Sequence, residues 1–478
     1  MRHAVVTPFL SLAVAGLLAG CPDRSISELD PVPAGAATKN IPVSADLDIL
    51  FVIDNSASTR DKQTIFAENY PRFVQALDAF PTGRPNLHIA VVTTSVDVGA
   101  GSAIGPACHP ASGENGTLQN ASRDTTFVCA APTTDRYLSD IAQADGTRKI
   151  NYTPPLETAL SCISHVGDSG CGFEAPLEAM KRALDGSRPE NAGFVRPGAF
   201  LAVVFLTDED DCSALPQLFQ QSEATVGKED FRCGQTAYHC DRPISPSAPG
   251  VYTGCTVRHD SFLINPTDYT QFLLGLKGNA GVAVALIAGD PTTEIHTGPV
   301  MLIGPMGPQT QQLAVQPSCM ATINGNLALG RPSLRLNEML AGFGDRGLFR
   351  TVCQSDYSAA LADIGALLFA AVSPCLEGTL DTRDIDTANP GLQPDCTVSD
   401  IEAPDTAQQV ETEIPRCHMM TADQPDIGSD AACWWVAQNA PACATETKLE
   451  LRVERKTQAA PNTTVRVSCA TTAPVVVK

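Results

Sequence analysis

The chain has 478 residues, enough for two or three domains with full buried cores. It carries 53 Asp+Glu against 32 Lys+Arg, a formal net charge of −21. That balance argues against nucleic acid and anionic lipid surfaces as partners; it suits solubility and cation binding.

At the N-terminus, Arg2 precedes an apolar run over 4–18 and then Ala19-Gly20-Cys21, the order of an export signal. Leu18-Ala19-Gly20-Cys21 resembles the lipobox of bacterial lipoproteins. The resemblance implies that residues 1–20 are removed, that Cys21 is lipidated, and that the chain is held in the cell envelope, at the outer membrane. Each buried CH₂ contributes ~0.8 kcal/mol, so several acyl chains together anchor almost permanently. No stretch reaches the ~18 apolar residues of a membrane-spanning helix, which leaves the lipid as the expected hold on the bilayer. Residues 21–45, rich in Pro, Ala, Gly and Ser, read as a flexible tether with a reach of roughly 80 Å.

Leu47-Asp48-Ile49-Leu50-Phe51-Val52-Ile53 then predicts a strand buried on both faces. A helical pattern follows on Phe66, Tyr70, Phe73, Leu77 and Phe80, with Pro71 set to kink or split it. Further strands are predicted over 87–92, 200–206, 282–287 and 348–352, with helices over 176–184 and 269–276. A last helix shows Tyr357, Leu361, Ile364 and Leu368 on one face. Strands alternating with helices predict an α/β fold with a doubly wound, mostly parallel sheet over 46–372. Cysteine-containing insertions interrupt it at about 95–153, 209–262 and 290–330. From 373 to 478 the texture changes to a small disulfide-stapled β domain. There, 448–454 and 464–468 alternate with period two and read as one antiparallel hairpin. Trp434 and Trp435 read as clamps over a thin core.

Setting Cys21 aside leaves 16 cysteines, an even number that predicts a disulfide framework in an exported chain. Cys108 with Cys129, and Cys162 with Cys171, bracket local loops and read as pairs. The first closure is worth ~3 kcal/mol in the chain-entropy treatment. Cys212, Cys233, Cys240 and Cys255 leave three connectivities open. His239 and His418 each adjoin a cysteine, but paired CxxC spacings are absent, which argues against zinc.

Directly after the first strand comes Asp54-Asn55-Ser56-Ala57-Ser58, with a helix next. Ligands bind beyond the carboxyl ends of strands in open α/β sheets. A carboxylate with two hydroxyls there is a hard-oxygen set, suited to Mg²⁺, Mn²⁺ or Ca²⁺. Helix capping accounts for one such residue but not for three. The pattern D-x-S-x-S resembles the metal-ion-dependent adhesion site of the von Willebrand factor A family. Phe205-Leu206-Thr207-Asp208 matches the family's later strand with its second Asp. The resemblance covers roughly 46–372. It implies direct ligation by Ser56 and Ser58, with Asp54 and Asp208 acting largely through water. The family's Thr is missing from 168–174, where Glu174 stands at the start of a helix as a substitute oxygen, with Ser169 or Asp168 as alternatives. In Asp208-Glu209-Asp210-Asp211, a solvated acidic loop is expected, with only Asp208 ligating.

The resemblance implies a non-catalytic, envelope-anchored binding or adhesion protein, whose cation engages an acidic residue of a partner protein. An envelope scaffold with a vestigial metal site is the alternative that the missing Thr raises. A third reading, a serine hydrolase, rests on Gly167-Asp168-Ser169-Gly170 and on His239, which look like trypsin-like segments in reversed order.

Overall fold

All seven residues of strand β1 (Leu47–Ile53) are buried, as a run without polar alternation requires. In the computed structural model β1 lies in a seven-stranded sheet with β2 (Leu87–Thr93), β3 (Leu138–Ala142), β4 (Arg148–Ile150), β5 (Phe200–Leu206), β6 (Val282–Ala288) and β7 (Gly347–Thr351). The described residues are 35–471 apart from 44–45, 81–82, 100–107, 109–113, 144, 223–224, 226–228, 305–306, 324, 405, 442, 444–446, 458 and 461–462. The export segment and Cys21 lie outside them. Sheet order is β7-β6-β5-β1-β2-β3-β4, with the first five parallel and β3 and β4 antiparallel. The chain is thus mixed α/β around a mainly parallel sheet.

Side chains of β1 alternate between two apolar layers, as the period of a strand dictates. Leu47, Ile49, Phe51 and Ile53 pack with helices α1 (Arg60–Glu68), α2 (Tyr70–Asp78), α3 (Leu156–Ser164) and α7 (Ser358–Val372). Leu50 and Val52 pack with α4 (Pro176–Leu184), α5 (Pro266–Lys277) and α6 (Leu334–Ala341). Phe51 meets Phe66, Tyr70 and Phe73 edge-on, at centroid distances of 5.7, 5.7 and 5.6 Å. Asp48 is the exception in the run: its carboxylate accepts from Arg196 N at 2.6 Å and Arg196 Nε at 2.8 Å. The predicted kink is a break at Asn69, with Pro71 in the first turn of α2, where a missing N–H costs little.

The insertions carry secondary structure of their own. The first supplies β3 and β4. The third folds into the hairpins Ile295–Gly304 with Gly307–Val315 and Cys319–Ile323 with Asn326–Gly330. All 16 cysteines after Cys21 are paired. The expected local pairs are corrected: Cys108 joins Cys171, and Cys129 joins Cys162. The loop after β2 and the loop before α4 both come over the end of β1, which brings distant cysteines closer than sequence neighbours. Cys212 pairs with Cys233, and Cys240 with Cys255.

Two expectations at the chain's ends are also corrected. Ala36–Pro42, read as tether, is a strand paired antiparallel with Thr463–Ala470. Backbone groups alone make such a ladder, so composition concealed it. The supposed hairpin partners do not pair with each other. Glu450–Arg455 pairs with Ala432–Ala437, and Thr463–Ala470 lies between Ala36–Pro42 and Cys396–Glu402. A period-two pattern marks a strand but does not name its neighbour. Trp434 and Trp435 are buried in separate small apolar clusters, each covered by a guanidinium, Arg416 and Arg452. Among the described residues no helix is long and apolar enough to cross a membrane.

Candidate functional site

Ile53 of β1 is paired with Leu206 of β5, so the residues that follow each strand emerge side by side. Strand order reverses here, with β2 on one side of β1 and β5, β6 and β7 on the other. This is the switch point at which open sheets form a crevice. Asp54 N still donates to Leu206 O at 2.9 Å. The turn is then fixed from α1: Thr59 Oγ1 and Gln63 Nε2 donate to Asp54 O at 2.9 and 2.7 Å.

Three of the four predicted oxygen donors, Ser56, Ser58 and Asp208, meet directly, and Asp54 lies beside them. Ser58 Oγ donates to Asp208 Oδ1 at 3.0 Å, and Ser56 Oγ lies 3.1 Å from Ser58 Oγ. Asp54 Oδ1 accepts from Ser56 N at 2.8 Å, and Asp54 Oδ2 from Thr207 Oγ1 at 2.7 Å. Asp54, Ser56 and Asp208 are buried, whereas Ser58 is exposed, so the cluster opens to solvent through one hydroxyl. The N-cap position of α1 is Thr59, and no side chain caps the helix, so these groups are not helix caps. Burial, reinforced by the charge of Asp208, pushes the Asp54 carboxyl up to about 6. A buried anion of this kind is stabilised by a neighbouring cation.

One cation is supplied by the chain itself. Lys62 Nζ reaches Asp208 Oδ2 at 2.7 Å and Ser58 O at 3.0 Å, and the ion pair is almost wholly buried. Neither Lys62 nor the Thr207 hydroxyl was singled out in the sequence. The spacing of Lys62, four residues after Ser58 in the first helical turn, was the available signal, since such side chains lean back toward the N-terminus.

Glu174 is buried, and its carbonyl accepts from Cys212 N at 2.8 Å, tying the start of α4 to the end of the acidic run. Among the described residues, no three His, Cys, Asp or Glu side chains gather into a group that could hold a metal, so Glu174 does not extend the Asp54–Asp208 pair into one. Asp168, the other substitute, is engaged by Arg60 Nε at 2.7 Å. Ser169 Oγ lies 3.5 Å from Asp168 Oδ1 and is exposed. His239 sits in the two-residue strand Tyr238–His239, paired with Thr256–Val257. The hydrogen bonds of the described residues do not join Ser169 to His239.

The acidic run after β5 differs from the solvated loop expected. Only Glu209 is partly exposed, and it pairs with Arg331 at 2.5 Å. Asp210 caps α6, accepting from Arg335 N at 3.0 Å and Leu336 N at 3.1 Å, with Tyr238 OH at 2.8 Å. Asp211 caps α4 through Leu177 N at 3.1 Å and pairs with the fully buried Arg335 at 3.0 Å. Two helix N-termini consume these carboxylates, because their first N–H groups have no partner within the helix.

Around the site the loops are locked together. Asn55, between Asp54 and Ser56, is buried; it donates to Glu114 Oε1 at 2.7 Å and accepts from Ser95 Oγ at 2.9 Å. Its carbonyl accepts from Gly170 N at 2.7 Å. A Cβ at Gly170 would fall on the Asn55 amide, so close packing accounts for that glycine in the Gly167–Gly170 stretch. Arg60 ties Asp168 to Thr126, the latter at 2.8 Å, and Cys108–Cys171 closes the same rim.

No protein-family model matches the chain, and no curated protein matches it. Among solved structures it is similar to the pilus adhesin SpaC of Lactobacillus rhamnosus GG in its open conformation. The TM-score is 0.32 at 8% identity, covering 91% of this chain and 40% of that one. A von Willebrand factor type A protein from Catenulispora acidiphila gives 0.25 at 10%, covering 92% and 66%. The pilus adhesin RrgA of Streptococcus pneumoniae gives 0.24 at 9%, covering 92% and 59%. The chain spans less than two thirds of the length of each.

Proposed function

We propose that the chain is a binding protein built on a doubly wound sheet of the von Willebrand factor A kind. In this reading Asp54, Ser56, Ser58 and Asp208 hold Mg²⁺, or Mn²⁺ or Ca²⁺, and the partner is a protein that offers an acidic residue. The observation that carries it is the convergence of Ser56, Ser58 and Asp208 oxygens within 3.1 Å steps at the switch point, beside Asp54. The donors are all hard oxygens, and they fit such a cation. When bound, the ion supplies an open coordination position that attracts a carboxylate. Ser56, Ser58, Asp54 and Asp208 would be the side chains that hold the ion. The chain's own groups do the rest. Thr207 and the Ser56 amide orient Asp54, and the disulfide-closed rim sets which partner fits. Cys21, lipidated, would fix the protein to the outer membrane of the envelope, and the C-terminal β-rich unit would stand as a separate small domain.

The test is calorimetric titration of Mg²⁺, Mn²⁺ and Ca²⁺ into the mature protein and into Asp54→Ala. Heat of one-site binding in the first and none in the second is expected. Indistinguishable traces would remove the mechanism.

A further inference from the structure

We propose that Lys62 is a tethered competitor for the cation at this site, lowering its affinity and restricting Asp208 to one ligating oxygen. The inference rests on the cation reading of the Asp54–Asp208 cluster and deepens it. Asp208 shares itself between two groups: Oδ1 takes the Ser58 hydroxyl at 3.0 Å, and Oδ2 takes the Lys62 ammonium at 2.7 Å. The ammonium is also held by Ser58 O at 3.0 Å, so it is bound on the loop that carries the ligands. With side-chain exposures of 3% and 4%, Lys62 and Asp208 form a pair that water barely screens. The start of α1, fixed by Thr59 and Gln63 on Asp54 O, holds the lysine stem in place.

A divalent cation entering between Asp54 and Asp208 meets a like charge on the far oxygen of one ligand. It therefore binds against that repulsion or breaks a buried ion pair, which is costly when one partner is left alone. The arrangement also discriminates between ions. Mg²⁺ takes near-octahedral single oxygens, whereas Ca²⁺ accepts bidentate carboxylates and more ligands. With Oδ2 held by Lys62, Asp208 offers the geometry that suits Mg²⁺ or Mn²⁺. Once the ammonium is gone, Oδ2 is released as a second oxygen of the same carboxylate, and Ca²⁺ gains most.

The experiment compares wild type, Lys62→Met and Lys62→Arg by calorimetric titration with Mg²⁺ and Ca²⁺, each also followed as the cation-induced rise in Tm. Lys62→Met keeps an unbranched stem without charge; it should bind Mg²⁺ at least tenfold more tightly, with a larger gain for Ca²⁺. Lys62→Arg keeps the charge and should stay within about threefold of wild type. If Lys62→Met does not fold, Lys62→Gln makes the same comparison. Equal or weaker Mg²⁺ binding by the neutral variant overturns the role of Lys62 while leaving the cation site standing. No binding by wild type or any variant overturns both.

Discussion

Two pairs of carboxylates at the carboxyl end of the sheet contrast sharply. Asp210 and Asp211, just past β5, spend their oxygens on backbone N–H groups of α6 and α4 and on Arg335. Asp54 and Asp208 are equally buried, yet apart from the Ser56 amide on Asp54 they face hydroxyls, each other's charge and one ammonium, and among the described residues they serve no helix N-terminus. The first pair is hydrogen-bonded by helix N-termini, although burial pushes the Asp210 carboxyl up to about 6 as well. The second holds charge that the fold only partly neutralises, and it opens to solvent through Ser58. Burial of acidic residues therefore does not distinguish a support from a site; the chemistry of their partners does.

Breaking the supporting pair should have the largest effect. Arg335→Met leaves Asp211 buried without its guanidinium and should cost about 3–5 kcal/mol in urea denaturation. A loss below about 1 kcal/mol would erase the contrast from that side.

At the site the sign should reverse. The folded-state pKa of Asp54, about 6, lies above its ordinary value of 3.8. The folded chain therefore holds that proton more tightly than the unfolded chain. The stability this contributes is complete below pH 3.8 and is lost as pH rises through 6. Asp54→Asn removes the charge; its carbonyl oxygen still accepts from the Ser56 amide, and its NH₂ donates to the Thr207 hydroxyl in place of accepting from it. Under chelator it should match wild type near pH 4 and exceed it by roughly 2–3 kcal/mol at pH 7.5. Parallel pH profiles for the two proteins would show that the charge is already balanced.

Smallest should be Ser58→Ala. A hydroxyl-to-carboxylate bond contributes about 1.5–3 kcal/mol, and at an exposed residue such as Ser58 water replaces most of it. A Tm within a few degrees of wild type is expected, whereas a collapse would make Ser58 a structural residue.

Much of this was legible in the sequence because β1, β2, β5 and β6 are buried on both faces and so read as continuous apolar runs. Once β1 and β5 are neighbours, Asp54 and Asp208 must converge, and D-x-S-x-S followed by Thr207-Asp208 carries that information. Lys62 was legible only as a spacing, four residues after Ser58, since its contact with Asp208 depends on the rotation of α1 about Asp54 O. The capping by Asp210 and Asp211 was hidden for a similar reason: the N–H groups they serve belong to α4, before them in the chain, and to α6, well beyond them. The Cys108–Cys171 link follows from two loops meeting over β1, a tertiary fact with no local signature. Ala36–Pro42 is held by backbone pairing, which leaves little trace in composition.

The central claim is most directly tested by Mn²⁺ binding, read from the loss of the free-ion signal in electron paramagnetic resonance. Wild-type protein should take up one Mn²⁺ per chain, displaced by excess Mg²⁺, and a chain carrying both Ser56→Ala and Ser58→Ala should take up none. Equal uptake by the two proteins, or none by either, would contradict the account.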